Sequence, residues 1–594
     1  MKLKNIIIAS SALLTLSSCA DLFEPAIENK QDITQMFQDK EFARGILGSA
    51  YLQLPYSGSS VSDVATDDAV SNDPDNDYKK VAMGGWAANQ DPFSQWQGRY
   101  NAIQYCNIML ENVDQVEWSG DPMLNQLYID HFKGNAYAMR GLQFFYLLRA
   151  HAGVTASGEL LGAPIHTSSE DGGTDFNQTR PAFKDCIDQI YADLAEAEKY
   201  LPYTYGNVGQ NDPVLSKYGC TNGQYNRAFG DHERGKIDGK IIAAIRAQVA
   251  LFAASPAYAS AGAGNWEQAA NYAGQLLSKI GGIDGMEPKG WTWYCNVDEI
   301  DNFGTGDNSN EIIWRDNIGG SHSLEGDNYP PSLEGKGRIN PSQNLVDAFP
   351  MANGYPISEG ASGYNPAKPY EGRDPRLAAY ILCNGSTTGI VDGYVLHTGE
   401  NAETIDGIDR EPKYSTRTGY YLHKHLRDDV SLKAGQETDQ KHYSARIRAT
   451  EIFLAYAEAA NEAGGPTASY GGVNFTAKDV IRAIRQRAGV GVGGDKYLEE
   501  CASSKEKMRE LIRNERRLEL CFENQRFYDL RRWEANLNEA VKGIKITAEN
   551  ADGSINYTIL DNVESRDYKP YMVYGPIPYS EIMKWSNLEQ NQGW

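Results

Sequence analysis

The chain has 594 residues, with 79 acidic against 56 basic side chains and a formal net charge of −23 at pH 7. A surface this acidic repels phosphate backbones and anionic headgroups, which argues against nucleic acid or a charged membrane face as a partner. The hydrophobic fraction of 41% allows one large core or several domain-sized units, and 36 tyrosines with 10 tryptophans supply many rings for packing and recognition.

The chain opens with Lys2 and Lys4, an apolar run from Ile6 to Leu16, and Leu16-Ser17-Ser18-Cys19. A run of roughly ten apolar residues is too short to span a bilayer as a helix, which needs about 20. Small residues directly ahead of a cysteine form the pattern of a bacterial lipoprotein signal, so residues 1–18 are expected to be removed and Cys19 to carry acyl chains such as palmitate.

Long helical patterns follow, in pairs: 33–54 with 94–114, 129–151 with 181–200, 238–255 with 264–280, and 445–463 with 476–488. In the second pair, Pro181 sits in a favourable first-turn position, Phe183, Ile187, Ile190 and Leu194 recur on one face, and Pro202 stops the helix. Alanine-rich faces such as Ala243-Ala244, Ala247 and Ala250 let neighbours approach closely. The repetition predicts a mainly α chain, a tetratricopeptide-like α-α superhelix of about four helix pairs, with its period broken by insertions. Those insertions, 55–93, 202–236, 282–440 and 540–575, are rich in Gly, Asn, Asp, Tyr and Pro, the chemistry of turns. The expected division is a helical region over 19–281, a loop-rich ligand-binding insertion carrying short strands over 282–440, and a second helical region over 441–594. Within the insertion, Ile312-Ile313-Trp314 reads as a strand, with Trp314 in the core.

A last helix is predicted from about 505 to 531, with Met508, Leu511, Ile512, Leu518 and Phe522 forming a stripe and Glu515 inside it. A carboxylate at a core position must be paired, and arginines are plentiful nearby, so a structural ion-pair network is expected there. Other apparent signals do not hold. The cysteines after Cys19 are scattered and form no C-x-x-C; His423 and His425 have no third ligand beside them. Asp73, Asp75 and Asp77 imitate a calcium loop, but Tyr78 takes its glycine position. Gly489 to Gly494 follows a helix rather than a strand, which makes it a helix stop. No metal and no cofactor is expected.

After the lipoprotein signal come Trp96, Tyr100, Ile103 and Asn107 (W-x3-Y-x2-I-x3-N), Arg140-Gly141-Leu142-Gln143-Phe144-Phe145-Tyr146, Arg180-Pro181 and Arg373-Asp374-Pro375-Arg376-Leu377. Glu451 to Asn461, Ile484 to Gly489, Asn514 to Leu520, Arg526 to Trp533 and Asn591 to Trp594 continue the series. This order of motifs resembles the SusD/RagB family of outer-membrane lipoproteins. The resemblance implies tetratricopeptide-like units supporting a loop-rich region, binding without catalysis, an outer-membrane lipid anchor with surface exposure, and a SusC-like TonB-dependent transporter as partner.

The expected function is capture of oligosaccharide or polysaccharide for that transporter; an oligopeptide receptor of RagB type is the alternative. Sugars call for rings that stack and for amides and carboxylates that bind hydroxyls. Trp291, Trp293 and Tyr294 form the densest ring cluster outside a helix and are the principal candidates for ligand contact, with Trp86, Tyr78 and Tyr329 in neighbouring loops as secondary ones. Trp96 belongs to the helical motif and should be core. No carboxylate pair stands in a recognisable catalytic context, so no catalytic residue is expected.

Overall fold

A computed structural model describes residues 36–55, 61–171, 173–304, 306–549 and 554–594. Cys19 lies outside the described residues. The architecture is mainly helical. Helices α1 (Lys40–Leu52), α2 (Trp96–Asn112), α3 (Pro122–His151), α4 (Phe183–Tyr200), α5 (Gly239–Ala254), α6 (Trp266–Lys279), α7 (Ala449–Gly464) and α8 (Ala477–Arg487) each pack on the next in chain order. These are the expected pairs, stacked as a tetratricopeptide-like array. α3 begins earlier than its apolar period suggests, because Asp121 accepts from the amides of Met123 and Leu124 and Pro122 supplies a preset first turn.

Close approach sets the spacing of the stack. On α5 Ala244, Ala247, Ala250 and Ala253 are buried, and on α6 so are Ala269, Ala270 and Ala273. A side chain at Gly274 of α6 would place its Cβ 2.6 Å from the carbonyl oxygen of Tyr470, so only glycine fits. Polar locks add direction. Arg140 of α3 reaches both oxygens of Asp193 on α4, at 2.6 and 2.9 Å, and Asn107 on α2 at 2.8 Å, joining three helices.

The irregular region does not close on itself. Strand β1 (Ala69–Ser71) pairs antiparallel with β3 (Ile339–Pro341), and β2 (Ile312–Arg315) pairs with β6 (Ala445–Arg448). β4 (Ile381–Leu382) pairs with β5 (Tyr421–Leu422), and β7 (Val541–Glu549) with β8 (Ile555–Glu564) forms a hairpin. Its core mixes Val64 and Ala69 with Trp293, Leu345, Phe349, Tyr380 and Tyr420 and with Leu518, Phe522 and Ile544. Segments from three distant parts of the chain therefore build one apolar centre beside the helical stack. Trp314 is buried in the stack's own core, as expected, and its indole N–H donates to the carbonyl of Gly235 at 2.8 Å.

The expected helix 505–531 is two helices, α9 (Lys505–Glu519) and α10 (Arg526–Arg532). The break falls where Phe522 (φ 61°) and Asn524 (φ 60°) enter the left-handed region. What it gains is electrostatic: the turn aims Glu523 at Arg448 and Lys424, each 2.7 Å away. The same buried network contains Glu515 2.6 Å from Arg376, Glu519 2.8 Å from Arg487 and 3.0 Å from Arg376, and Glu311 2.6 Å from Arg448. Burial raises the Glu523 carboxyl, but Arg448 and Lys424 outweigh that and hold it at about 2. The network joins α8, α9 and β6 to the irregular region, as the carboxylate inside the apolar stripe requires.

Residues 571–594 return to the first helices. Asn591 donates to the carbonyls of His151 (3.0 Å) and Gly575, and accepts from Arg180 at 2.8 Å. His151 Nδ1–H donates to the Pro576 carbonyl at 2.6 Å while Nε2 accepts from the Gln95 amide at 2.9 Å. Trp594 packs edge-on against Trp86, ring centroids 4.8 Å apart.

Candidate functional site

Trp291, Trp293 and Tyr294 lie on a short 3-10 segment, Gly290–Cys295. They do not share one face. Trp291 is half-buried, with its carbonyl accepting from the Tyr380 hydroxyl at 2.7 Å. Trp293 and Tyr294 turn inward and are 1% and 5% exposed, so the expected open stacking platform is corrected: a region this large must build its own core, and loop tryptophans supply it. Sequence period alone cannot show this, since the burial arises from contacts between distant loops.

Both inward rings nevertheless border a cavity of about 110 Å³ at the junction of the helical stack and the irregular region. Its aromatic wall is made by Trp293, Tyr294, His425 and Tyr443. Ring centroids lie 5.1 Å apart for Trp293 and Tyr443, 5.6 Å for Trp293 and His425, and 5.5 Å for Tyr294 and His425. Its polar wall includes Asn328, Arg446, Arg448, Glu451, Glu523 and Asn524. Several lining residues carry a side-chain atom that is buried without a hydrogen-bond partner among the described residues, the Trp293 indole nitrogen, the Asn328 side-chain oxygen and His442 Nε2 among them. Buried polar atoms ordinarily find partners, so a donor and an acceptor left unpaired beside the cavity suit a hydroxyl-bearing guest or water.

Burial, seconded by the neighbouring Lys424, drives the His425 imidazole down to about 4, so at neutral pH it is uncharged. Its Nε2–H then donates to the Phe522 carbonyl at 3.1 Å and the ring offers an apolar face. Arg149, Gln248, Glu451 and Gln525 also line a second cavity of about 60 Å³ at the junction, where Gln248 donates to Glu451 at 2.7 Å. The residues that sequence reasoning missed as cavity lining, Asn328, His425 and the adjacent pair His442-Tyr443, come from three separate stretches of chain with no motif joining them. One signal exists in hindsight: His442-Tyr443 directly precedes strand β6, which the Arg448 network fixes in place.

The secondary candidates do not line the larger cavity. Trp86 borders the 60 Å³ one, but it is 4% exposed, donates to Asp91 at 2.8 Å, and packs with Phe93, Phe527 and Trp594; that ring is structural, and the expectation of an exposed ligand contact from it is corrected. Tyr329 is fully buried and its hydroxyl donates to the Arg427 carbonyl, which corrects the same expectation there. Tyr78 is half-buried with its ring 5.0 Å from Phe93, away from the cavity. His423 and His425 do not act together either: His423 bonds Asp428 at 2.9 Å. Trp96 is buried in the helical core, as expected.

Comparison with known proteins follows the same lines. A profile of the SusD family matches residues 299–594, and one described as starch-binding, associating with the outer membrane, matches residues 27–213. SusD-like protein P38 of Formosa agariphila is 25% identical over 226 residues, which is 36% of this chain and 40% of that relative. The chain thus matches well under half the length of that protein. A SusD-like protein of Bacteroides fragilis NCTC 9343 has the same fold, with a TM-score of 0.70 at 22% identity over 96% of this chain and 100% of that one. A SusD-like carbohydrate binding protein of the same organism gives 0.66 at 18% identity over 93% and 100%. A SusD superfamily protein of Parabacteroides distasonis ATCC 8503 gives 0.57 at 19% identity over 93% and 99%.

Proposed function

The chain belongs to the SusD/RagB family, and on that premise we propose that it is a glycan-binding lipoprotein that captures oligosaccharides at the cell surface and passes them to a SusC-like TonB-dependent transporter. The observation that carries the reading is the junction cavity. Aromatic faces of Trp293, Tyr443 and His425 stand beside an indole N–H and an amide oxygen that have no hydrogen-bond partner among the described residues. That is the chemistry of a sugar ring, which has apolar C–H faces and a girdle of hydroxyls. Similarity to a family described as starch-binding and to a carbohydrate binding protein of Bacteroides fragilis supports the same reading. Outer-membrane attachment comes through Cys19; no described helix is long and apolar enough to cross a membrane. Binding is weak, on the order of µM to mM, about −8 to −4 kcal/mol, because cargo must be released onward. No turnover accompanies capture.

The test is calorimetry and affinity electrophoresis against parallel panels of oligosaccharides and peptides. Trp293→Phe keeps the ring but removes the donor and should weaken glycan binding by about 0.5–1.5 kcal/mol. Tyr443→Ala removes a stacking face and should cost about 1–3 kcal/mol, by analogy with base–aromatic stacking. Undiminished binding in both folded variants would place the site elsewhere. Capture of peptides and of no glycan would make the protein a receptor of RagB type, and released product from any polysaccharide would make it an enzyme.

A further inference from the structure

An open cleft of about 460 Å³ lies on another part of the molecule, between the start of α2, the loop around 164–176 and the returning segment 578–588. It shares no lining residue with the junction cavity. A continuous file of rings runs along it. Trp96 and Tyr100 have centroids 5.1 Å apart, Tyr100 and His166 5.0 Å, His166 and Phe176 6.4 Å, and Phe176 and Trp585 5.8 Å. Tyr100, His166, Phe176 and Trp585 line the cleft and are half-buried, so part of each reaches solvent, whereas a core would seal them.

Polar groups alternate with those rings. Glu170 holds His166 Nδ1 at 2.8 Å, Glu581 accepts from the Trp585 indole at 3.3 Å and pairs with Lys584 at 2.7 Å, and the amides of Gln97 and Asn101 stand exposed at the rim. The walls are fixed before any ligand arrives. Asn177 donates to the Ser586 hydroxyl at 3.1 Å, and Asn587 donates through its backbone and side chain to Asn177, both at 2.8 Å. Arg180 adds a bond to the Glu589 carbonyl at 3.0 Å. A prearranged wall spares the ordering entropy of binding.

We infer that this cleft is a second carbohydrate site, one that takes neutral pyranose units of an oligosaccharide along the Tyr100–Phe176–Trp585 file. Ring faces receive the C–H faces of the sugars. Glu170, Glu581 and the rim amides take their hydroxyls as donors and acceptors. The carboxylates disfavour acidic sugars and phosphorylated ligands, and the interleaved charges disfavour a lipid chain or an apolar helix. The inference rests on the glycan-binding reading above but not on the junction cavity. Two separated sites would let one polymer bind twice, multiplying avidity while each site stays weak.

The test uses full-length mature protein labelled with 5-fluorotryptophan, with the Trp585 resonance assigned by Trp585→Phe. Maltohexaose, cellohexaose, xylohexaose and mannohexaose are titrated in fluorine NMR, and affinities are measured by calorimetry. At least one hexasaccharide should shift the Trp585 resonance, and should do so equally in the Trp293→Phe background. Trp585→Ala should weaken binding at this site at least tenfold and lower the stoichiometry. The exposed-rim double variant Gln97→Ala/Asn101→Ala should weaken it three- to tenfold without touching the fold. A hexasaccharide that binds yet leaves Trp585 unmoved, or affinity and stoichiometry unchanged in both variants, overturns the second site alone. Binding of none of the four overturns it together with the glycan reading.

Discussion

Glu515 is fully buried 2.6 Å from Arg376 and 3.5 Å from Arg485; Arg376 also meets Asp374 at 2.7 Å and Glu519 at 3.0 Å, and Arg485 meets Asp495 at 2.7 Å. Glu515→Ala removes one carboxylate from this buried network while both guanidinium groups keep others, and should lower stability by about 1–3 kcal/mol in denaturant unfolding, with ligand affinity unchanged in the folded fraction. His151 poses the opposite case, a buried group that must stay neutral. Burial, against the Pro576 hydrogen bond and with Arg180 adding to it, drives the imidazole down to about 4. A proton on Nε2 would face the Gln95 N–H that now donates to it. Between pH 6.5 and 4 the unfolded chain therefore binds a proton that the folded chain refuses. Stability is full above about pH 6.5 and falls as the pH drops toward 4, by on the order of 3 kcal/mol from this residue. Urea unfolding at pH 8, 6 and 4.5 measures the slope, and His151→Gln, which donates and accepts without titrating, should flatten it. At this scale the sequence was half legible. A carboxylate inside an apolar stripe announces its pairing. The Trp293 cavity wall does not, because its burial depends on loops that meet only in space.

Helix spacing is decided by glycines whose roles differ with their surroundings. At Gly274 the new Cβ would meet the Tyr470 carbonyl at 2.6 Å, so Gly274→Ala must push α6 from the neighbouring loop. It should cost about 1–3 kcal/mol, the range for overpacking. Gly45, on α1, meets nothing within 4 Å. There Gly45→Ala should stabilise by up to about 1 kcal/mol, since alanine loses less backbone freedom in a helix. Paired thermal melts check the contrast; equal shifts in both would show that propensity and not packing governs the stack. The helix pairs were legible from helices such as α4 and α6, which show one apolar face with a period of 3.6 and a proline or glycine shortly after their last turn. The break between α9 and α10 was not. Phe522 carries no turn signature and Asn524, which tolerates the left-handed region, is a single weak one; the partners of Glu523, brought from β6 and the loop at 424, make the turn worthwhile.

For the molecule as a whole, the stack was readable and the irregular region only by composition, since its core is assembled from residues near 64, 293, 345, 420, 518 and 544. Attachment can be tested directly: Cys19→Ala should move the mature protein from the outer-membrane fraction to the soluble one in cells lacking the transporter, and persistence in the membrane would remove the lipid anchor from the proposal. The return of residues 571–594 to the first helices carries a consequence in time. Asn591 bridges His151 and Arg180, and Trp594 rests on Trp86, so His151 reaches its final packing only after a residue 440 positions later has been made. Until then the stack has an unclosed seam, and contacts this distant in sequence form slowly. Closure of the seam should therefore come among the last events of folding, waiting on residues 571–594 to latch it.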